Sequence, residues 1–112
     1  MQIITASMDR SVLKKLASER FGDMVKAVVD IEQNIMAIGG ELHADEEQLL
    51  LEQGSKQEHL WGINLYPDTQ TPDWLEFDSM INLRPSQGNR SRGVDDPHIQ
   101  ERIRSVVSSL IV

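Results

Sequence analysis

The 112-residue chain contains no cysteine, which removes a disulfide framework, a thiolate metal centre and a cysteine nucleophile together. The same absence suits a reducing compartment, and the expected localisation is cytoplasmic. The opening MQIITASMDR lacks the basic start and apolar run of a secretory signal. No apolar stretch approaches the roughly 18 residues of a membrane span. Cations are scarce too, with 11 Lys and Arg against 18 Asp and Glu and a formal net charge of -7. That balance argues against nucleic-acid binding, which needs a local excess of Lys and Arg to neutralise phosphates.

What is present is a globular composition, 39% hydrophobic and 26% charged, in a length that fits one domain with one core. Ser7 is a candidate N-cap, followed by Val12, Leu13, Leu16, Ala17 and Phe21 at helical spacing and by Gly22 as a stop. The β-branched run MVKAVVDI and the run IMAIGGEL, separated by Glu32, Gln33 and Asn34, read as a hairpin. Gly39 and Gly40 within the second run predict a bulge or a close backbone approach that re-aims Glu41 and His43. Asp45, Glu46 and Glu47 then open a short helix through Leu49, Leu50 and Leu51 to Gly54, and Ser55 with Glu58 has the form of a capping box.

Trp61, Ile63 and Leu65 alternate with Gly62, Asn64 and Tyr66, and the run from Leu75 to Arg84 alternates likewise. Pairing Tyr66 with Trp74 sets Leu65 beside Leu75 and Ile63 beside Phe77 on one inward face. Asp96 and Pro97 start a last helix with the stripe Ile99, Ile103, Val106, Val107 and Leu110. The expected fold is therefore a single α+β domain of two layers over residues 1–112, in the order αββαββα. Its sheet has four antiparallel strands, with the first and last helices on one face. Trp74, Tyr66 and Met80 then fall on the opposite face, and the chain ends in Leu110, Ile111 and Val112. That surplus of apolar surface predicts a homo-oligomer, most simply a two-fold dimer; the alternative is that the short helix from Asp45 to Gln53 folds over this face, with Leu49 and Leu50 covering it within one chain.

The segments FGDMVKAVVD, MAIGGELHADEE, GSKQEHLWGINLYP and EFDSMINLRPSQGNRSRGVDDP resemble a family of small prokaryotic proteins catalogued only as a domain of unknown function. The similarity covers nearly the whole chain. It implies one compact domain and transfers no catalytic residue.

Chemistry is concentrated in Arg84 to Gly93, RPSQGNRSRG, which holds three of the 11 basic residues and no acid. Gly, Pro, Ser and Asn make this segment a loop. Arg84, Arg90 and Arg92 offer forks for phosphate or carboxylate, and Ser86 and Asn89 stand between them as further donors. A small anionic ligand is the expected partner. The plainer expectation for the arginines is pairing with Glu76, Asp78, Asp95 or Asp96. Glu41 and His43, two apart at a distorted strand end, form a candidate acid and base pair. They are too few for a metal site, and no cofactor is expected. The glycine-rich phosphate fingerprint, the GxSxG elbow and the DxDxDG calcium loop are all missing. The leading functional expectation is an anion-binding domain, with or without turnover; the alternative is a homodimeric interaction module, and RNA binding through the loop is a distant third, set back by the acidic net charge.

Overall fold

The run MVKAVVD supplies the central strand of the sheet. In the computed structural model, which describes residues 1–112, Val25–Asp30 is β2 and pairs along both edges. Its neighbours are β3 (Ile35–Ile38) and β4 (Leu60–Leu65), flanked by β1 (Gln2–Ile4) and β5 (Leu75–Glu76). All pairs are antiparallel and the order is β1-β3-β2-β4-β5. The sheet thus has five strands rather than the expected four. The added strand is the three-residue QII, too short to show a period of two in the sequence. In the β2–β3 turn, Asp30 Oδ1 accepts the N–H groups of Glu32 and Gln33, both at 2.9 Å. Ser55 caps no helix; its Oγ donates to Asp30 Oδ2 at 2.6 Å.

Three helices cover this sheet: α1 (Arg10–Arg20), α2 (His43–Glu52) and α3 (Pro97–Leu110). Asp96 caps α3 as expected, accepting from His98 N. The cap of α1 is Asp9, not Ser7, because Met8 forms a parallel bridge with Ile111 and holds the preceding chain extended. Leu13, Ala17, Ile103, Val106 and Val107 bury against Val25, Ala27, Val29, Ile63 and Leu65. The first and last helices therefore share a face, as the apolar stripes require.

The opposite face is covered by α2, whose Leu50 packs on Val28, Ala37 and Leu60. Helices on both faces make three layers where two were expected. The apolar surplus that called for a second copy is largely absorbed within the chain. Trp74 packs toward the α1 and α3 side under Arg10, 4.0 Å from the ring centroid. Tyr66 Oη donates to Glu76 Oε1 at 3.1 Å, and Leu110 and Ile111 are buried while Met80 stays exposed. No helix is long and apolar enough to cross a membrane.

The β4–β5 register places Leu65 opposite Leu75, and Tyr66 N donates to Trp74 O at 2.7 Å, as the alternation predicts. Pairing stops at Glu76, so the expected Ile63–Phe77 pair does not form. Phe77 is half-buried against the main core. The chain instead crosses over β4 at Gly62, where a Cβ would stand 2.5 Å from Ser79 Cβ and Oγ. The side-chain amide of Asn82 replaces the missing strand. Its Oδ1 accepts from Gly62 N at 2.8 Å, and its Nδ2 donates to Gly62 O at 2.9 Å and Arg92 O at 3.0 Å. Replacing Asn82 with Ala leaves the buried Gly62 N–H and C=O without partners, while the Arg92 carbonyl keeps the Ser79 N–H, and the expected loss is about 3 kcal/mol. Urea unfolding measures it; a loss below about 1 kcal/mol would show that the amide is not what completes the strand edge.

Candidate functional site

The basic loop is held by its own asparagine. Buried Asn89 donates from Nδ2 to the carbonyls of Asn82 at 2.7 Å, Ser91 at 3.1 Å and Gly93 at 2.9 Å, and its Oδ1 accepts from Asp95 N at 2.8 Å. Asn89 is thus occupied within the loop. Asp95 adds to this frame, taking the Arg90 N–H at 2.8 Å and the Ser91 hydroxyl at 2.6 Å, and these bonds hold its carboxyl below the usual range. The three arginines separate. Arg84 turns inward, donating to the carbonyls of Ile81, Gln57 and Leu60, with its guanidinium 4.3 Å from the Trp61 ring centroid. Burial lowers its pKa, although the nearby Glu47 charge opposes this. Arg90 and Ser86 stand exposed, and Arg92 pairs with Asp78 at 2.8 Å. One of the plainer pairings expected for the loop is therefore made, and Arg84 serves the fold.

Glu41 and His43 do not converge. Glu41 is exposed beside Asp45, Gln48 and Glu52 on the outer side of α2. His43 is buried at the first position of α2, with Nε2 2.8 Å from Ile63 O. Burial lowers the His43 pKa, with the Lys26 charge in the same sense and the Ile63 carbonyl and Asn64 opposing. Its ring is therefore the neutral form at pH 7, and a neutral ring donates to Ile63 O from Nε2–H.

What His43 does meet is the basic loop. A cleft of about 220 Å³ is walled by Leu42, His43 and Ala44 on one side and by Asp78, Ser79, Met80, Ile81 and Arg92 on the other. Lys26 of β2 and Asn64 of β4, opposite each other in register, complete it. Leu42 gives α2 no side-chain cap, and the N–H groups of His43 and Ala44 have no protein acceptor. Asn64 is 7% exposed; its Nδ2 donates to Glu76 Oε1 at 2.8 Å, while its Oδ1 has no donor. Lys26 has no carboxylate partner within ion-pair distance. No three metal-ligating side chains cluster anywhere in the chain.

Lys26 and Asn64 were not among the candidate site residues drawn from the sequence, and Asp78 entered only as a pairing partner for the arginines. Their signal was present: Lys26 and Asn64 are polar interruptions in the apolar runs MVKAVVD and LWGINL. Two such interruptions at facing register positions mark one polar spot on a sheet face.

A buried acid lies behind the glycine pair, outside the lining of this cleft. Gly40 has no Cβ because Glu46 fills that space, an added Cβ standing 2.7 Å from Glu46 Cγ. The glycine pair thus provides the close approach that its sequence suggested. Glu46 Oε2 accepts the Gly40 N–H at 2.9 Å and Oε1 has no partner. Burial pushes this carboxyl up to about 8, against the lowering effects of the Gly40 bond and Lys26.

The fold and cleft define a small three-layer α+β domain with an antiparallel sheet and a polar pocket at the start of its middle helix. A family model described as "Protein of unknown function (DUF5674)" matches residues 2–110, and the chain belongs to that family. No curated protein and no solved structure matches.

Glu46 gives a pH test of this geometry. Its pKa is higher folded than unfolded, so the folded state binds the extra proton and stability falls as pH rises from about 4.5 to about 8. Glu46→Gln keeps the neutral shape and removes that slope. Relative to the parent, the variant should gain on the order of 2 to 4 kcal/mol between pH 5 and pH 8. Urea unfolding at both values checks it, and parallel pH profiles would place the titration elsewhere.

Proposed function

We propose that this protein binds a small anionic ligand, a carboxylate or phosphate group, in the cleft between the start of α2 and the Asp78–Arg92 pair. The observation that carries the reading is that His43 and Ala44, whose helix-start N–H groups have no protein acceptor, line one opening together with Arg92 and Lys26. Free N–H groups at a helix start and the positive end of the helix dipole favour negative charge. Arg92 adds a fork that can turn from Asp78 to a ligand, since the pair is exposed and such pairs are weak. Asn64 Oδ1, buried without a donor, supplies an acceptor for a hydroxyl or amine on the same ligand.

Binding is favoured over turnover because no nucleophile and base are paired here. His43 is the one group suited to proton transfer, and Glu41 stands outside the cleft. Of the loop residues, Arg92 contributes directly. Arg90 and Ser86 are exposed outside the cleft lining, while Arg84 and Asn89 hold the loop in position.

The cleft volume of about 220 Å³ falls below the roughly 300 Å³ at which drug-sized pockets begin. A ligand fragment the size of phosphate, acetate or a hydroxy acid fits this scale. Titration with phosphate, sulfate, acetate and lactate should raise the melting temperature by several degrees at saturation, since a ligand specific to the native state stabilises by about 2.7 kcal/mol at 100 times Kd. Arg92→Ala should weaken the effect at least about tenfold, the loss of one charged hydrogen bond. The absence of any anion-specific shift at tens of millimolar, with choline as control cation, would reject the reading.

A further inference from the structure

A second pocket lies at the other side of Lys26, between the end of α1 and the adjoining ends of β2 and β3. It has a volume of about 300 Å³ and shares only Lys26 with the cleft above. Its apolar lining includes Leu16, Phe21, Met24, Val25 and Ile38. Two cations stand at its rim, Arg20 and Lys26, against one acid, Glu19. Neither cation has a carboxylate partner within ion-pair distance, although 18 acids are distributed over this chain. Lys26 Nζ instead lies 5.4 Å from the centroid of the Phe21 ring, at the pocket's lip. Two of the large apolar side chains that the fold leaves exposed, Met1 at 59% and Phe21 at 37%, also line it.

From this combination we infer that the pocket is a binding site for a small amphipathic carboxylate, with the acid held by Arg20 and Lys26 and the hydrocarbon on Leu16, Met24 and Ile38. Charge decides the head group. Unpaired cations in an acidic protein attract an anion and repel an ammonium, and Arg presents a fork matched to carboxylate. The lining decides the body, since apolar surface around a few polar groups is the usual make-up of a small-molecule site. Size sets the length: at roughly 30 Å³ per water the pocket has room for on the order of ten non-hydrogen atoms. A medium-chain acid such as octanoate meets all three conditions. Burial of Phe21 and Met1 under the chain would remove exposed apolar surface at the same time.

The test uses the full chain labelled with ¹³C-methyl methionine and titrated with octanoate below its micelle-forming range, beside octylammonium and octan-1-ol. The expected result is a saturable shift of the Met24 and Met1 methyls with Met80, which belongs to the other cleft, unmoved. Octanoate should bind at least tenfold more tightly than either control. Arg20→Glu, at an exposed position, should weaken it at least tenfold, and Arg92→Ala should leave it unchanged. Octylammonium binding as well as octanoate would overturn the head-group assignment. Shifts at Met80 alone, or none, would overturn the site. A doubled sedimentation mass, with Met24 inaccessible to octanoate, would assign the pocket to a second copy of this chain instead.

Discussion

The pairing of one side-chain amide with one glycine peptide is the constraint on which the rest of this structure turns. Asn82 presents to Gly62 a donor and an acceptor in the arrangement that a neighbouring strand would offer. It does so from a chain segment that lies over the sheet rather than in its plane. Because a buried backbone group without a partner is costly, β4 could not lose its neighbour after Asn64 unless something else completed its edge. The substitution lets the chain leave the sheet two residues after entering β5. Glycine at 62 is required by the same event, since Ser79 occupies the volume of a side chain there. Asn82 also takes the Arg92 carbonyl, which ties the return path of the basic loop to the crossing. A continued β5 would have carried Asp78 and Arg92 along the sheet edge, away from α2.

The charges follow from where these segments come to rest. The molecule is acidic overall, yet exposed charges act over about 8 Å at physiological salt. Local composition therefore governs a cleft more than net charge does. Around Lys26 that local composition is unusual. The buried carboxyl closest to it in effect, Glu46, is held mostly protonated at pH 7 by burial, so it offsets little of the Lys26 charge. Asp78 is engaged with Arg92. Lys26 is left as a half-buried cation without a counter-ion, set between two openings of different character.

Much of this architecture could be read from residue pattern. The β2–β3 hairpin, the β4–β5 register at Leu65 and Leu75, the Asp96–Pro97 start of α3 and the shared face of α1 and α3 all rest on local periodicity and turn chemistry. The misses have a common cause. β1 is three residues long and the crossing at Gly62 depends on a residue twenty positions away, while the covering of the second face by α2 is one of two expectations between which pattern alone does not choose. None of these leaves a period in the sequence. The alternation from Leu75 to Arg84 reads as a long strand, and only tertiary contact with Gly62 breaks it after Glu76.

The candidate site divides along the same line. Composition locates the Arg84–Gly93 loop, but it cannot tell an arginine that stays at the surface from one that binds carbonyls. Arg84 and Arg92 are both lone cations in a loop segment without acids, and their settings part because Trp61 and the carbonyls of Gln57 and Leu60 lie beneath one and Asp78 lies beside the other. Similarly, Glu41 and His43 are two apart, a spacing that places both on one face of a continuing strand. The chain ceases to be a strand at Gly39, whose φ of +80° turns it out of β3, and α2 begins at His43. One residue is carried outward and the other inward. Gly40, next along, admits Glu46 to the interior, so the glycine pair that parts Glu41 from His43 also buries the carboxyl that would otherwise offset Lys26.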